Sequence, residues 1–147
     1  MAFEATEPSR TSPSETELRA RLNAAGLRPT RQRLALAKLL FTADRHVTAE
    51  GLHEEAILAQ MPVSLATVYN ALHQFTEAGL LRQVAVDGAR TYFDTNTSDH
   101  HHFYVEGEDR VLDIAGTEVS VDGLPEAPAG HEIVRVDVVV RLRRLKR

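Results

Sequence analysis

Apolar residues recur at helical spacing four times in the first half of the chain. From Glu15, Leu18, Leu22 and Ala25 follow the three- and four-residue rhythm of a helix, and Gly26 closes it. Pro29 discourages helix at Arg28, so residues 26–29 read as a bend. Thr30 is placed to cap a second helix whose apolar face is Leu34, Ala37, Leu40 and Phe41. Thr48 caps a third through Leu52, Ala56 and Ala59, stopped by Pro62. Ser64 caps a fourth with Leu65, Val68, Leu72 and Phe75 on one face, ended by Gly79.

After Gly79 the period changes to two. Leu80 to Val86, then Asp87-Gly88, then Ala89 to Phe93 predict a β-hairpin with Asp-Gly as its turn. Four short helices followed by a hairpin predict a winged helix-turn-helix. Two further strands are expected at His102 to Val105 and Arg110 to Ile114. Residues 116–130 are irregular, with Pro125 and Pro128 arguing against a long helix. The run IVRVDVVVRL, Ile133 to Leu142, alternates most clearly of all. Its face of Val134, Val136, Val138 and Val140 is expected to be buried. A strand of this kind in a small domain requires a partner surface, so a homodimer through residues 100–142 is expected. The organisation is therefore a disordered tail at 1–14, a winged-helix domain at 15–94, a polar linker at 95–99, a second domain at 100–142 and a basic tail at 143–147. The class is α+β.

A length of 147 residues suits one compact domain or two small ones. The absence of cysteine removes disulfide scaffolds, cysteine zinc ribbons and thiol nucleophiles. No apolar run approaches the roughly 20 residues of a membrane span, and the N-terminus has no signal-peptide core, so a cytoplasmic location without membrane contact is expected. The net charge of -4 conceals an asymmetry. Residues 17–90 carry nine basic side chains against seven acidic ones, whereas 91–140 carry only Arg110 and Arg135 against eleven acids. Two modules with different partners follow from that division. No HExxH, no Gly-rich phosphate loop and no Ser-His-Asp pattern is present, which argues against a metallohydrolase and against an enzyme generally.

On the fourth helix, about 3.6 residues per turn sends Thr67, Asn70 and Gln74 outward, with Tyr69 at the boundary. Asn and Gln can read adenine bidentately, and Thr or Tyr can touch a thymine methyl. Arg28, Arg31 and Arg33 stand at the front of the second helix, in reach of phosphates or a minor groove, and Arg82 and Arg90 lie on the wing. An ordinary solvated helix face explains the same pattern. The small positive charge of this part calls for two copies acting together.

The second candidate constellation is His100-His101-His102. On a strand, His100 and His102 face one way and His101 the other. Imidazoles among carboxylates, with no soft sulfur ligand, favour Fe(II), Mn(II) or Zn(II). The bland alternative is a surface histidine run that binds metal weakly.

The runs GLRPTRQRLALAKLL, HVTAEGLHEEA, SLATVYNALHQFTEAGLL and DGARTYFD, with the DHHH run, resemble the ferric uptake regulator (Fur) superfamily. LATVYNAL is the most specific element, and the similarity runs from Leu18 to Arg141. HHHFYVEGEDRVLDI and VDVVVRL most resemble the iron response regulator (Irr) of alphaproteobacteria. The resemblance implies an N-terminal winged helix, a C-terminal α/β dimerisation domain and an operator that is an A/T-rich inverted repeat in double-stranded DNA. It implies that Tyr69 approaches thymines and Arg28 the minor groove, while Asn70 replaces a common Arg. It further implies one metal site at His46, Asp94 and His101, and a second that includes His100 and His102. The acidic partner of the second site is left open among Asp113, Glu118 and Asp122. The family's CxxC zinc site is absent, with Glu106 and Asp109 near its positions, so the second domain is expected to rely on packing alone.

In Irr the histidine triplet is associated with haem. The resemblance therefore admits haem at His100, His101 and His102, with Phe103 and Tyr104 facing the porphyrin. His53 is expected to be solvated and His73 to pack, both being weaker haem candidates. The implied function is an iron- and haem-responsive regulator, mainly a repressor, of iron homeostasis and haem metabolism genes that acts under iron limitation. The alternative is a metal-activated repressor sensing Fe(II), Mn(II) or Zn(II) without haem.

Overall fold

A computed structural model of the chain describes residues 12–87 and 90–146. Most of the expected tail, Gly88 of the expected hairpin turn and Arg147 lie outside the described residues. The chain divides into two compact units, Met1–Thr97 and Ser98–Arg147, a division inside the polar stretch 95–99. Among the described residues no helix is long and apolar enough to cross a membrane.

Among the described residues the first unit holds four helices: α1 (Glu15–Ala24), α2 (Arg31–Leu40), α3 (Ala49–Leu58) and α4 (Leu65–Glu77). Each begins where a hydroxyl side chain satisfies an otherwise orphaned backbone donor. Ser14 accepts from the N–H of Glu17, Thr30 from Arg33, Thr48 from Gly51 and Ser64 from Thr67. α4 ends as Gly79 takes a φ of +80°, and Leu80 N–H donates back to the Phe75 carbonyl at 2.9 Å. A side chain other than glycine is strained in that conformation.

The helices enclose one core built on Leu18, Leu22, Leu36, Leu40, Leu52, Val68, Leu72 and Phe75. Two details depart from the sequence expectation. Leu65 is exposed rather than inward, because it occupies the first turn of α4, while Val63 just before the cap is buried in its place. Ala59 likewise lies exposed, beyond the last turn of α3.

Strands β1 (His46–Val47), β2 (Arg82–Asp87) and β3 (Arg90–Asp94) form an antiparallel sheet in the order β1-β3-β2. The sequence reading missed β1, since two residues carry no periodicity. Its pairing sets His46 opposite Asp94 and Val47 opposite Phe93. Arg82, expected on an open wing, is buried.

The second unit is a three-stranded sheet in the order β5-β4-β6: β4 (His100–Val105), β5 (Arg110–Ala115) and β6 (Val139–Leu142). β4 pairs antiparallel with β5 and parallel with β6. A 3-10 turn at Gly116–Glu118 follows β5. Gly116 is required there: a Cβ at this position would lie 2.7 Å from the Asp99 carbonyl oxygen.

The long alternating strand expected at 133–142 is present only as Val139–Leu142. The parallel register pairs His102 with Val139, so residues before 137 run past the start of β4 and find no ladder partner. The all-valine face is correspondingly not buried in the single chain: Val134 is 89% exposed and Val140 37%. Exposed ion pairs lie on the surface of the unit, where such pairs add little to stability. Arg141 donates to Glu106 at 2.9 Å, and Arg144 of the basic tail pairs with Glu108.

Leu72→Ala should lower unfolding free energy by about 2–5 kcal/mol, the cost of a cavity in a fully buried site. Leu65→Ala should cost less than about 0.5 kcal/mol, as befits an exposed position. Urea denaturation followed by circular dichroism separates the two.

Candidate metal centre and nucleic-acid-facing helix

The second unit brings together the side chains that the strand period places on one face. On β4, His100 and His102 are buried, at 5% and 1% exposure, while His101 is half-buried on the opposite face. The register pairs His102 with Asp113 on β5. The Asp113 carboxylate oxygen lies 3.2 Å from His100 Nε2 and 3.5 Å from His102 Nε2. The candidate ligand atoms of these three residues all lie within 4.8 Å of one another. The two imidazole rings meet edge to face with centroids 4.5 Å apart.

The tautomer of His100 is set by its other nitrogen. Nδ1 lies 2.6 Å from the Ser98 carbonyl oxygen. A carbonyl only accepts, so Nδ1 carries a proton, and Nε2 is left as the nitrogen that can ligate a cation shared with Asp113. That is the outer-shell arrangement of a metal-ligating histidine, whose second nitrogen donates to a carbonyl. Two imidazoles and a carboxylate form a donor set for borderline cations such as Mn(II), Fe(II) or Zn(II). The residues present thus fit the metal that the sequence resemblance implies.

His101 does not join them. Its Nδ1 accepts the Val138 N–H at 3.1 Å, so its proton resides on Nε2 and it anchors the approach to β6. Of the three acidic candidates, Asp113 faces the imidazoles; Glu118 and Asp122 lie exposed on the segment after β5. Tyr104, expected to face a porphyrin, is buried beneath the Arg141 guanidinium, 5.1 Å from the ring centroid. His131 is exposed and bonded locally to the Ala129 carbonyl.

The first unit holds a histidine–carboxylate pair of its own. His46 Nε2 lies 3.0 Å from Asp94 Oδ2 across the β1–β3 register. The Asp94 side chain is buried, and Oδ1 accepts the Asn96 N–H at 2.9 Å. A buried carboxylate requires such partners, because desolvation otherwise penalises its charge.

α4 carries the candidate nucleic-acid face. Val68, Ala71, Leu72 and Phe75 are buried, whereas Asn70 and Gln74 are exposed and Thr67 half-buried. Arg28 is exposed, on the turn before α2. Arg33, expected to reach DNA, is turned inward. One of its terminal nitrogens donates to the Arg28 carbonyl at 2.9 Å and the other to Gln74 Oε1 at 3.0 Å. Gln74 consequently presents its amide NH₂ outward, a donor suited to adenine N7, guanine N7 or O6, or thymine O4.

Tyr69 is fixed at both ends. Its ring stacks on His73 with centroids 6.4 Å apart, and its hydroxyl donates to Glu50 Oε1 at 2.5 Å. The sequence reading missed Glu50, for which no sequence signal existed. The Tyr69 hydrogen bond, seconded by a backbone donor and Arg90, holds the Glu50 carboxyl below its ordinary value, while Glu50 pushes the Tyr69 phenol up. His73 meets Phe93 edge-on, as expected of a packing histidine. His53, expected to be solvated, is half-buried, with Nε2 3.1 Å from the Val63 carbonyl oxygen.

The first unit thus offers a capped, polar-faced helix and the second a His/His/Asp trio. Residues 24–139 match the model described as "Ferric uptake regulator family", and the chain belongs to that family. It is 33% identical over 95 residues to a peroxide-responsive repressor, PerR, of Staphylococcus aureus, covering 64% of each chain. It is 37% identical over 93 residues to the peroxide operon regulator of Bacillus subtilis, covering 63% of each. The chain thus spans somewhat less than two thirds of the length of these curated relatives. A solved ferric uptake regulator of Pseudomonas aeruginosa with manganese superposes with a TM-score of 0.68 at 28% identity, covering 88% of this chain and 98% of that one.

In a calorimetric titration with Mn(II) or Zn(II), His102→Ala and Asp113→Ala should each weaken binding by at least about tenfold, the loss typical even of outer-shell partners. His131→Ala should leave the isotherm unchanged.

Proposed function

We propose that the protein is a metal-responsive, sequence-specific DNA-binding transcriptional regulator, mainly a repressor, that acts as a homodimer. The observation that carries this reading is the pairing, within one member of this family, of the exposed α4 face with the His100, His102 and Asp113 trio. The first unit serves as a winged helix-turn-helix, with α4 entering the major groove of an A/T-rich inverted repeat. Asn70, Gln74 and Tyr69 read base edges, Thr67 lies beside them, and Arg28 takes the minor groove or phosphates. His100, His102 and Asp113 hold a divalent cation, and His46 with Asp94 supply a second ligand pair. A bound cation would supply a dense positive charge that ties the three side chains of the trio into one rigid cluster. The manganese in the Pseudomonas aeruginosa relative and the repressor names of the curated relatives support this reading.

The second unit supplies the dimer surface. Leu112, Ile133, Val134 and Val140 are exposed on it, and apolar area of that kind finds burial against a second copy. Light scattering at micromolar concentration should return twice the chain mass; a monomer would refute the dimer.

Iron- and haem-responsive control in the manner of the iron response regulators is the finer form of this proposal, and it rests on the triplet His100, His101 and His102. Burial of His100 and His102 favours the metal-only form, since an axial haem ligand must project from its surroundings. Fluorescence anisotropy on an A/T-rich inverted-repeat duplex discriminates the two. Mn(II) should tighten binding at least tenfold over the metal-free protein, and Asp113→Ala should abolish the gain. Release by haem that disappears when all three histidines become alanine would instead favour the haem form. Tyr69→Ala should cost about 1–3 kcal/mol of specific binding. Arg28→Ala should lower the salt slope by about one.

A further inference from the structure

We propose that Glu50 is the positioning residue of the DNA-reading surface: it holds the Tyr69 ring in one orientation, so that the ring and not the hydroxyl reads thymine. This rests on the reading of α4 as the DNA-facing helix. The two residues come from different helices, Glu50 in the first turn of α3 and Tyr69 in the second turn of α4. Their 2.5 Å bond spans 19 positions of sequence and is therefore a tertiary contact. Four features converge on it.

Glu50 sits two residues after the Thr48 cap of α3, where the helix N-terminus favours negative charge. Arg90 on β3 adds a second favourable field, and the carboxyl is held below its ordinary value. The acceptor is thus ionised at neutral pH and binds the phenol strongly. The phenolic proton, committed to Glu50, is withdrawn from donation to a base edge. At the other end the ring stacks on His73, one helical turn along α4. The pair lies in a cleft of about 400 Å³ lined also by Thr48, Arg90 and Thr91, so the ring is half open to a ligand.

Contact between an aromatic ring and a thymine methyl depends on ring orientation. A side chain held before binding spares an ordering cost worth roughly two- to tenfold in affinity. Electrostatics alone predicts the opposite sign. A carboxylate on a DNA-facing surface repels phosphates, so removing it would tighten binding. The sign of the Glu50→Ala effect therefore separates the two roles.

The test uses the full chain with Mn(II) and a duplex that the parent protein selects from a random pool, together with the same duplex carrying uracil for thymine. Uracil lacks only the methyl group. The parent should prefer thymine severalfold. Glu50→Ala should weaken binding by about three- to tenfold and erase most of that preference, in line with the cost of ordering one side chain. Tyr69→Phe, which keeps the ring and loses the bond, should do the same. The double variant should be no weaker than either single one, because both remove one interaction. Glu50→Gln, which still accepts the bond, should stay within about twofold of the parent. Glu50 is exposed, so these variants are expected to fold. Equal or tighter binding by Glu50→Ala, additive losses in the double variant, or a Glu50→Gln defect as large as that of Glu50→Ala would each overturn the proposal. Failure of the parent to select any duplex would overturn the DNA-binding reading itself, and this proposal with it.

Discussion

A strand cannot place three consecutive side chains on one face, and the chemistry of the second unit is built on that constraint. His100 and His102 turn together towards Asp113, and His101 is left on the other side. There the odd imidazole does a different task, accepting the Val138 N–H next to the short β6. One tripeptide thereby furnishes two candidate ligands and one structural acceptor. The division is enforced by hydrogen bonds as well as by direction. His100 keeps its proton on Nδ1 against the Ser98 carbonyl, and His101 keeps its proton on Nε2 because Nδ1 is taken. Only the former tautomer leaves Nε2 available to a cation on the Asp113 side.

α4 shows the same logic in helical form. Its buried stripe leaves a polar face, but the useful content of that face comes from what restrains it. Arg33 ties the Arg28 carbonyl to Gln74, linking the turn before α2 to the fourth helix. Glu50 and His73 hold Tyr69. Arg33, Glu50 and His73 are thus placed to position their neighbours. A charged side chain that already has two acceptors has less to offer a phosphate, which is why Arg33 and Arg28 are not interchangeable here despite their shared charge.

What the sequence made legible follows from period and length. The four helices could be read because each combines a hydroxyl cap with several turns of apolar spacing, and Ser64 with Val68, Leu72 and Phe75 is the clearest case. β1 could not, since His46-Val47 is too short to show any alternation. The strand at 133–142 was over-read: alternation shows what a segment can do, while pairing requires a partner in register, and β4 supplies one only from Val139 onward. That His100 and His102 share a face was readable from two-residue periodicity, but that Asp113 rather than Glu118 or Asp122 faces them needed the antiparallel register. Glu50 had no signal, because an acid in a first helical turn is ordinary.

A cluster of two buried imidazoles and a carboxylate is costly to assemble unless its polar atoms have partners. The Ser98 carbonyl, the strand ladder and the close approach at Gly116 hold this one in place. A site held in advance loses little freedom on binding, so more of the interaction with a cation appears as affinity. The second unit has only a few buried apolar side chains, among them Tyr104, Val105, Val111 and Ile114. Any ligand that binds the folded state and not the unfolded chain stabilises the fold in proportion to the logarithm of its concentration over its dissociation constant. In a unit with so small a core, that increment is a large share of the total. A cation held by His100, His102 and Asp113 would therefore be coupled to the folding of the second unit, because it would offset the cost of burying those side chains.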